Sequence, residues 1–281
     1  MAIPPSNGST TVPHEKRRIE LRGETVILLA DIGNTHTVFG LSSGKKILGS
    51  WRFSTGRYET EDELYTHLHP LLEREGITLD SVEEFVVASV VPSVNECMER
   101  FARRYLKNGV IWVKASNVLP VKWDIVSLDQ LGSDRVANVL AAWKEHGNNA
   151  IIVDFGTAIT IDVLFQGTFR GGAILPGFMT SIYGLFRNTA KLPMVDLKFP
   201  RSPVGRDTDE NLRVGIVLGT VRAIDGLIED IFSFYGTDDM KVICTGGQAP
   251  LAMEGSRFLS FYDPYLTLKG MIVYFELVRK S

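Results

Sequence analysis

Cysteine is nearly missing from this chain. Cys97 and Cys244 stand far apart in apolar surroundings, which excludes a disulfide framework and a four-ligand zinc site and fits a reducing, cytoplasmic setting. A basic surplus is missing too: Lys and Arg number 30 against 33 Asp and Glu, a formal net charge of −3. Proteins that hold nucleic acid or anionic membrane by bulk electrostatics carry the opposite balance, so the expected partner is a small molecule. No apolar run approaches the ~20 residues of a membrane span, and the N-terminus lacks the apolar core of a signal peptide. There is no G-x-x-x-x-G-K-[ST] phosphate loop. The DFG at residues 154–156 has no glycine-rich loop, H-R-D or A-P-E to accompany it, which sets aside P-loop enzymes and protein kinases.

What is present is a chain of 281 residues at 44% hydrophobic content, enough for two lobes of roughly 100–150 residues each. Residues 1–24 are rich in Pro, Ser, Thr and charge and read as a flexible tail, because they cannot bury enough apolar surface to offset their ordering entropy. From Val26 the pattern is strand, turn, strand, then a third extended piece, KILGSWRF. TEDELYTHLHPLLEREG places Leu64, Leu68, Leu71 and Leu72 at helical spacing behind Thr60 as N-cap. FVVASVVPS reads as a buried strand ended by Pro92, with a helix after it. The second half repeats the order in AIIVDFG, TAITIDVL and GTFRGGAIL, followed by helices at MTSIYGLFRNTAKL and at the long amphipathic stretch from Asp207 to Gly236, then the strand KVICTGGQA. An internal duplication of this kind predicts two related α/β domains, residues 25–145 and 146–281, facing a cleft.

LLADIGNTHTVFGL (28–41) and IIVDFGTAITIDVL (151–164) both end a strand on a carboxylate and turn straight back. One such turn by itself is better read as a hairpin capped by Asp and Asn. Two copies, followed by a Gly-Gly turn, favour phosphate binding. Gly33 and Gly156 let backbone N–H groups approach a phosphate, and Thr35, Thr37 and Thr157 add hydroxyls. Asp31 and Asp154 beside phosphate call for a bound cation such as Mg²⁺. GSDR (132–135) has its own bland explanation, helix-start chemistry with Ser127 and Gln130 as a capping box.

The motifs DIGNTHT, GSDR, DFGTAIT, GGAILPG, FRNTAKLP and VICTGGQA, in this order and spacing, resemble the type III pantothenate kinase family, from about Ile27 onward. The resemblance implies two ribonuclease-H-like domains of the actin and sugar-kinase superfamily, and ATP-dependent phosphorylation of pantothenate at its primary hydroxyl, the first step toward coenzyme A. It implies a cytoplasmic homodimer whose pantothenate pocket is completed across the dimer interface. By position, Asp31, Ile32, Gly33, Asn34, Thr35, His36, Thr37 and Val38 form the first phosphate-binding turn, with Asp31 near Mg²⁺. Thr157 contacts ATP, and Gly246 and Gly247 form the adenosine-side turn. Asp154 is the ligand for a monovalent cation, K⁺ or NH₄⁺. Gly132, Ser133, Asp134 and Arg135 form the pantothenate motif, with Asp134 as general base and Arg135 as partner for a substrate anion, and Thr189 reaches the same pocket. Phosphoryl transfer to an alcohol needs an acceptor for the hydroxyl proton, which independently favours Asp134. Ser133 replaces the family's usual alanine, and the usual aromatic substrate contact falls on Ile125, two residues after Trp123, with neither assigned. His67 and His69, two apart on a helix, do not face each other and read as solvated or packing residues. Gly215 and Gly219 read as a close-packing pair, and GGAILPG as a shaper of the site. The alternatives are a kinase of the same fold for another small alcohol, and a nucleotide-binding regulator without catalysis. Asp134 and Arg135 together favour the enzyme.

Overall fold

The computed structural model describes residues 24–116 and 119–280; the expected N-terminal tail, but for Glu24, lies outside them. Two five-stranded sheets share one plan. In the first, β1 (Val26–Ile32), β2 (His36–Ser43) and β3 (Lys46–Ser54) form an antiparallel meander, and β4 (Glu84–Ser89) and β5 (Val110–Trp112) join β1 in parallel on its other side, in the order β3-β2-β1-β4-β5. After the two-residue strand β6 (Lys122–Trp123), the second half builds β7 (Ala150–Phe155), β8 (Ala158–Phe165) and β9 (Thr168–Pro176) as a second meander, with β10 (Lys241–Thr245) parallel to β7. The run β10-β7-β8-β9 therefore repeats β4-β1-β2-β3 of the first sheet; β5 has no counterpart, and β6, from the first half of the chain, closes the second sheet's far edge against β9.

The helices follow local signals. Helix α1 (Glu61–Arg74) begins at Thr60, whose side chain accepts from Glu63 N–H while the Glu63 carboxylate receives the Thr60 N–H, a complete capping box. Helix α2 (Pro92–Tyr105) has Pro92 in its first turn, where a missing N–H costs nothing. Helix α3 covers Ser133–His146 and α4 Phe178–Asn188. The long amphipathic stretch starts at Asp207, which accepts from Glu210 N–H, and runs as α5 (Thr208–Arg213), a π-helical segment Val214–Leu218 and α6 (Gly219–Tyr235). Helices α7 (Ala249–Met253) and α8 (Leu266–Val278) complete the chain.

Three cores define the layers. Outer faces of the two sheets are covered by α1 and α2 on one side and by α4, α6 and α7 on the other. Between the sheets lies a central core in which α3 and α8 pack against Ile27, Leu29, Val86 and Ala88 of the first sheet and Ala150, Ile152 and Leu164 of the second. The central strands β1, β4 and β7 are thus buried on both faces, which is why the sequence shows near-continuous apolar runs there, whereas the meander strands β3 and β9 are partly exposed.

The α3–α8 contact depends on Gly270. A Cβ at that position would lie 1.8 Å from the carbonyl oxygen of Ala137, so the helices approach at backbone distance. Gly270→Ala is expected to destabilise the protein by about 2 kcal/mol or more through forced separation of a packed core, against a helix-propensity gain of at most about 1 kcal/mol. Gly226→Ala on α6, where nothing lies within 4 Å of the added carbon, is the matched control. Thermal unfolding checks both: a Tm drop of several degrees for the first and none for the second.

Candidate active site

The two carboxylate turns end strands of equal parity. In β1, Val26, Leu28, Ala30 and Ile32 enter the outer core and Ile27 and Leu29 the central one, so the next inward position is Asp31. In β7, Ile151, Val153 and Phe155 face outward and Ala150 and Ile152 inward, so Asp154 is the inward residue. The carboxylates face the same layer from opposite sheets, and both line a cavity of about 290 Å³.

The turns are near copies. Gly33 N–H donates to His36 C=O at 3.0 Å and Gly156 N–H to Ala158 C=O at 3.1 Å, the second turn being one residue shorter. Their tips meet: Thr35 Oγ1 and Thr157 Oγ1 are hydrogen-bonded at 2.9 Å. The third turn comes from β10. Gly246 has φ +88°, and a Cβ there would lie 2.5 Å from Phe155 C=O and 2.7 Å from Asp154 Oδ1, so only glycine permits this approach. Asn34, Thr35 and His36 are exposed, and Val38 lines the cavity. Ile32 and Thr37 point into the outer layer instead. The Thr37 hydroxyl accepts from Tyr58 Oη at 2.7 Å and hydrogen-bonds Thr55 Oγ1 at 3.1 Å, while Thr55 Oγ1 holds Gly33 C=O at 2.6 Å. Those contacts brace the turn from behind.

Helix α3 delivers Asp134. Gly132 is its N-cap, and Ser133, buried, donates to Ser89 C=O at 3.0 Å, so the hydroxyl ties α3 to the end of β4. The capping box considered for Ser127 and Gln130 does not form: Ser127 makes no capping hydrogen bond and the helix begins only at Ser133. Asp134 Oδ1 accepts from Arg135 N–H at 2.8 Å.

Asp31, Asp134 and Asp154 repel one another. Burial first, then Asp134 and Asp154, hold Asp31 well above the usual carboxylate range, with Arg52 pulling it back. Burial, then Asp134, pushes Asp154 up to about 7, opposed by Asn138. Burial also raises Asp134, against the hydrogen bond from Arg135 N–H. Such a cleft favours cations or protons. Among the described residues no group of three or more His, Cys, Asp or Glu is placed to cage a metal ion. The donors present, two inward carboxylates and two threonine hydroxyls, are all oxygen, which fits hard cations that take their other ligands from water and phosphate.

Three residues that the sequence reading did not single out shape this centre. Asp162, 0% exposed, accepts from both Nε and Nη2 of Arg135, at 2.8 and 2.6 Å, on one oxygen. Arg135 is therefore engaged with β8 and lies over the Phe169 ring. Burial raises Asp162 to about 6 even beside that cation. Asn138, fully buried, donates to Asp154 Oδ2 at 2.9 Å and accepts from Thr267 Oγ1 of α8 at 2.9 Å. Its place four residues after Asp134, on the same face and inside the apolar run Val136–Ala142 of the helix, is the sequence signal that could have found it. Arg52, on β3, lines the cavity.

Thr189 caps α4 at an exposed position, donating to Leu185 C=O at 2.8 Å, and among the described residues no hydrogen bond joins it to the cleft. Ile125 packs on the central core, and Trp123 donates to Ser116 C=O at 3.1 Å. His69 stacks on Tyr65 and His67 lies against Phe53, both packing contacts.

A sequence model of the family described as type III pantothenate kinase matches residues 27–230. A type III pantothenate kinase of Kosmotoga olearia is 47% identical over 253 residues, covering 90% of this chain and 97% of that protein. One of Fervidobacterium nodosum is 42% identical, covering 91% and 99%. Among solved structures, a conserved putative Baf family transcriptional activator from Campylobacter jejuni superposes with TM-score 0.57 at 18% identity, covering 90% of this chain and 98% of that one. A ROK family glucokinase from Streptomyces griseus, solved with glucose and AMPPNP, superposes with TM-score 0.51 at 12% identity, covering 91% and 100%. At such identities the structural likeness speaks to the fold alone, a duplicated α/β architecture of two five-stranded sheets.

Proposed function

The chain belongs to the type III pantothenate kinase family and phosphorylates pantothenate with ATP, and from this premise we propose how its cleft does so. The observation that carries the reading is the convergence of the three carboxylates Asp31, Asp134 and Asp154 beneath two turns whose threonine tips touch. The polyphosphate lies along the turns at 31–38 and 154–157, with the adenosine toward Gly246 and Gly247. Exposed backbone N–H groups and the Thr35 and Thr157 hydroxyls exchange their mutual bond for phosphate oxygens. Asp31 serves a divalent ion such as Mg²⁺ and Asp154 a monovalent cation, K⁺ or NH₄⁺. These ions, when bound, offset phosphate charge beside the carboxylates.

Asp134 accepts the proton of the pantothenate hydroxyl as the oxygen attacks phosphorus. Its raised pKa makes it a stronger base than a free carboxylate, and Arg135 N–H orients it. The Arg135 guanidinium, held flat by Asp162, presents its remaining edge to the anionic substrate. Gly132, Ser133 and Thr189 complete the pantothenate side, Thr189 reaching the pocket of a second copy. A homodimer is supported by the exposed Tyr183, Leu185 and Phe186 on α4 and by the open surface over Gly215. A division at 25–145 and 146–281 follows the two sheets, with β6 and α8 exchanged across it. Two buried, unpaired cysteines support a cytoplasmic setting; no helix among the described residues is long and apolar enough to cross a membrane.

A coupled assay of ADP release, with and without pantothenate, tests the reading. Release that depends on pantothenate is expected. Equal release with another small alcohol and none with pantothenate would sink it.

A further inference from the structure

The duplicated sheets allow their matching rows to be compared position by position. In the first sheet, Asp31 of β1 pairs with Val38 of β2, and Val38 with Arg52 of β3. Residues in register across antiparallel strands share a face, so Arg52 points to the same inward face as Asp31, two strand spacings or about 10 Å away at the backbone. That span is within reach of an extended arginine side chain. In the second sheet the matching row runs Asp154, Thr160, Ile174. The place of Arg52 is there taken by Ile174, 66% exposed. A cation at this row position is thus a property of one copy only, not of the fold.

Arg52 is also placed for a ligand. It lines the cavity that Asp31, Asp154, Thr245 and Gly246 line. A Cβ on Gly247 would stand 3.0 Å from Arg52 Nη1, so the guanidinium rests beside the bare second glycine of the β10 turn. Among the described residues Arg52 is the one cation lining this cavity, and no ion pair or hydrogen bond with an acidic side chain occupies it. The other arginine of the centre, Arg135, is held by Asp162. A nucleotide triphosphate entering a cleft of three carboxylates needs positive charge on the side away from them, and a planar guanidinium supplies it in a form matched to two phosphate oxygens.

We propose that Arg52 is a nucleotide-binding residue that reaches from the β3 edge to the Gly246–Gly247 turn and grips the polyphosphate of ATP where it leaves that turn. The assignment rests on the reading of the cleft as the ATP site and names a contact which that reading did not contain. Calorimetry reports binding directly.

The test uses the full-length enzyme, a non-hydrolysable ATP analogue and adenosine as the phosphate-free probe, with wild type, Arg52→Gln and Arg52→Lys. Arg52→Gln is expected to weaken analogue binding roughly 10- to 100-fold, the loss of charge-assisted hydrogen bonds. Adenosine binding and KM for pantothenate should stay within about twofold, KM for ATP should rise in parallel with the analogue's Kd, and Arg52→Lys should fall between. Arg52 is exposed on a strand at the sheet edge, so an unchanged melting curve serves as the folding control. Analogue binding equal to wild type in Arg52→Gln, or equal losses for analogue and adenosine, overturns the assignment. A wild type that binds neither nucleotide while remaining folded overturns the ATP cleft itself, a result distinguishable from failure of Arg52 alone.

Discussion

Asp134→Asn is expected to lower kcat by about 10²-fold or more, the usual range for removing a general base, while leaving affinity for an ATP analogue near that of wild type. Asparagine keeps the size of the side chain and an oxygen that still accepts the Arg135 N–H at the 2.8 Å position, so α3 has no reason to shift. What disappears is the capacity to take the hydroxyl proton. The variant also removes one of three mutually repelling carboxylates, which makes anion binding no harder. Because burial raises the Asp134 pKa above its ordinary value, wild-type kcat should decline as pH falls through that raised value, where the base becomes protonated, and in the variant the acid limb should move to lower pH, since only Asp31 and Asp154 remain to be protonated and each has lost the repulsion of Asp134. Steady-state rates at saturating ATP and pantothenate across pH, together with analogue binding, decide the matter. Near-normal turnover in a folded Asp134→Asn protein would remove Asp134 from the mechanism.

Asp31→Ala and Asp154→Ala are expected to fail differently although they replace matching residues of a duplicated turn. Asp31→Ala should lose nearly all turnover, about 10³-fold or more, whatever monovalent ion is supplied, because the transferring phosphoryl group loses its positioning carboxylate. Asp154→Ala should keep a basal rate and its dependence on divalent ion but lose activation by potassium or ammonium. The structural asymmetry behind this expectation is Asn138: it donates to Asp154 and is itself held by Thr267 of α8, so Asp154 is fixed from behind in the central layer. Among the described residues no side-chain hydrogen bond restrains Asp31, which faces Arg52 and the other carboxylates. The measurement is initial rate against potassium concentration, in sodium buffer at saturating magnesium and ATP, for wild type and both variants. Potassium activation that persists unchanged in Asp154→Ala refutes the division of labour.

Much of the architecture was legible locally. VILLADI and AIIVDF read as strands because both faces of each are buried, and their alternation already assigns the terminal Asp to the face of Ile27 and Leu29, or of Ala150 and Ile152. Thr60 with Glu63, Asp207 with Glu210 and Pro92 mark helix starts through contacts within four residues. The repeated order of strands revealed two sheets of one plan. Parity, caps and repeats are properties of neighbouring residues, so a linear reading reaches them. The partners of the site are not neighbours. Thr35 meets Thr157 across 122 residues, Thr267 meets Asn138 across 129, and Arg135 is taken up by Asp162 across 27. That α8 comes back to lie between the sheets, that β6 crosses to the second of them, and that Thr37 spends its hydroxyl on Tyr58 rather than in the cleft follow from which buried faces fit together. Which face each carboxylate occupies, and what pattern repeats around it, follow from local alternation and repeat. Which groups those carboxylates face is set by long-range packing, because the free energy that selects one packing over another is summed over contacts between segments far apart in the chain.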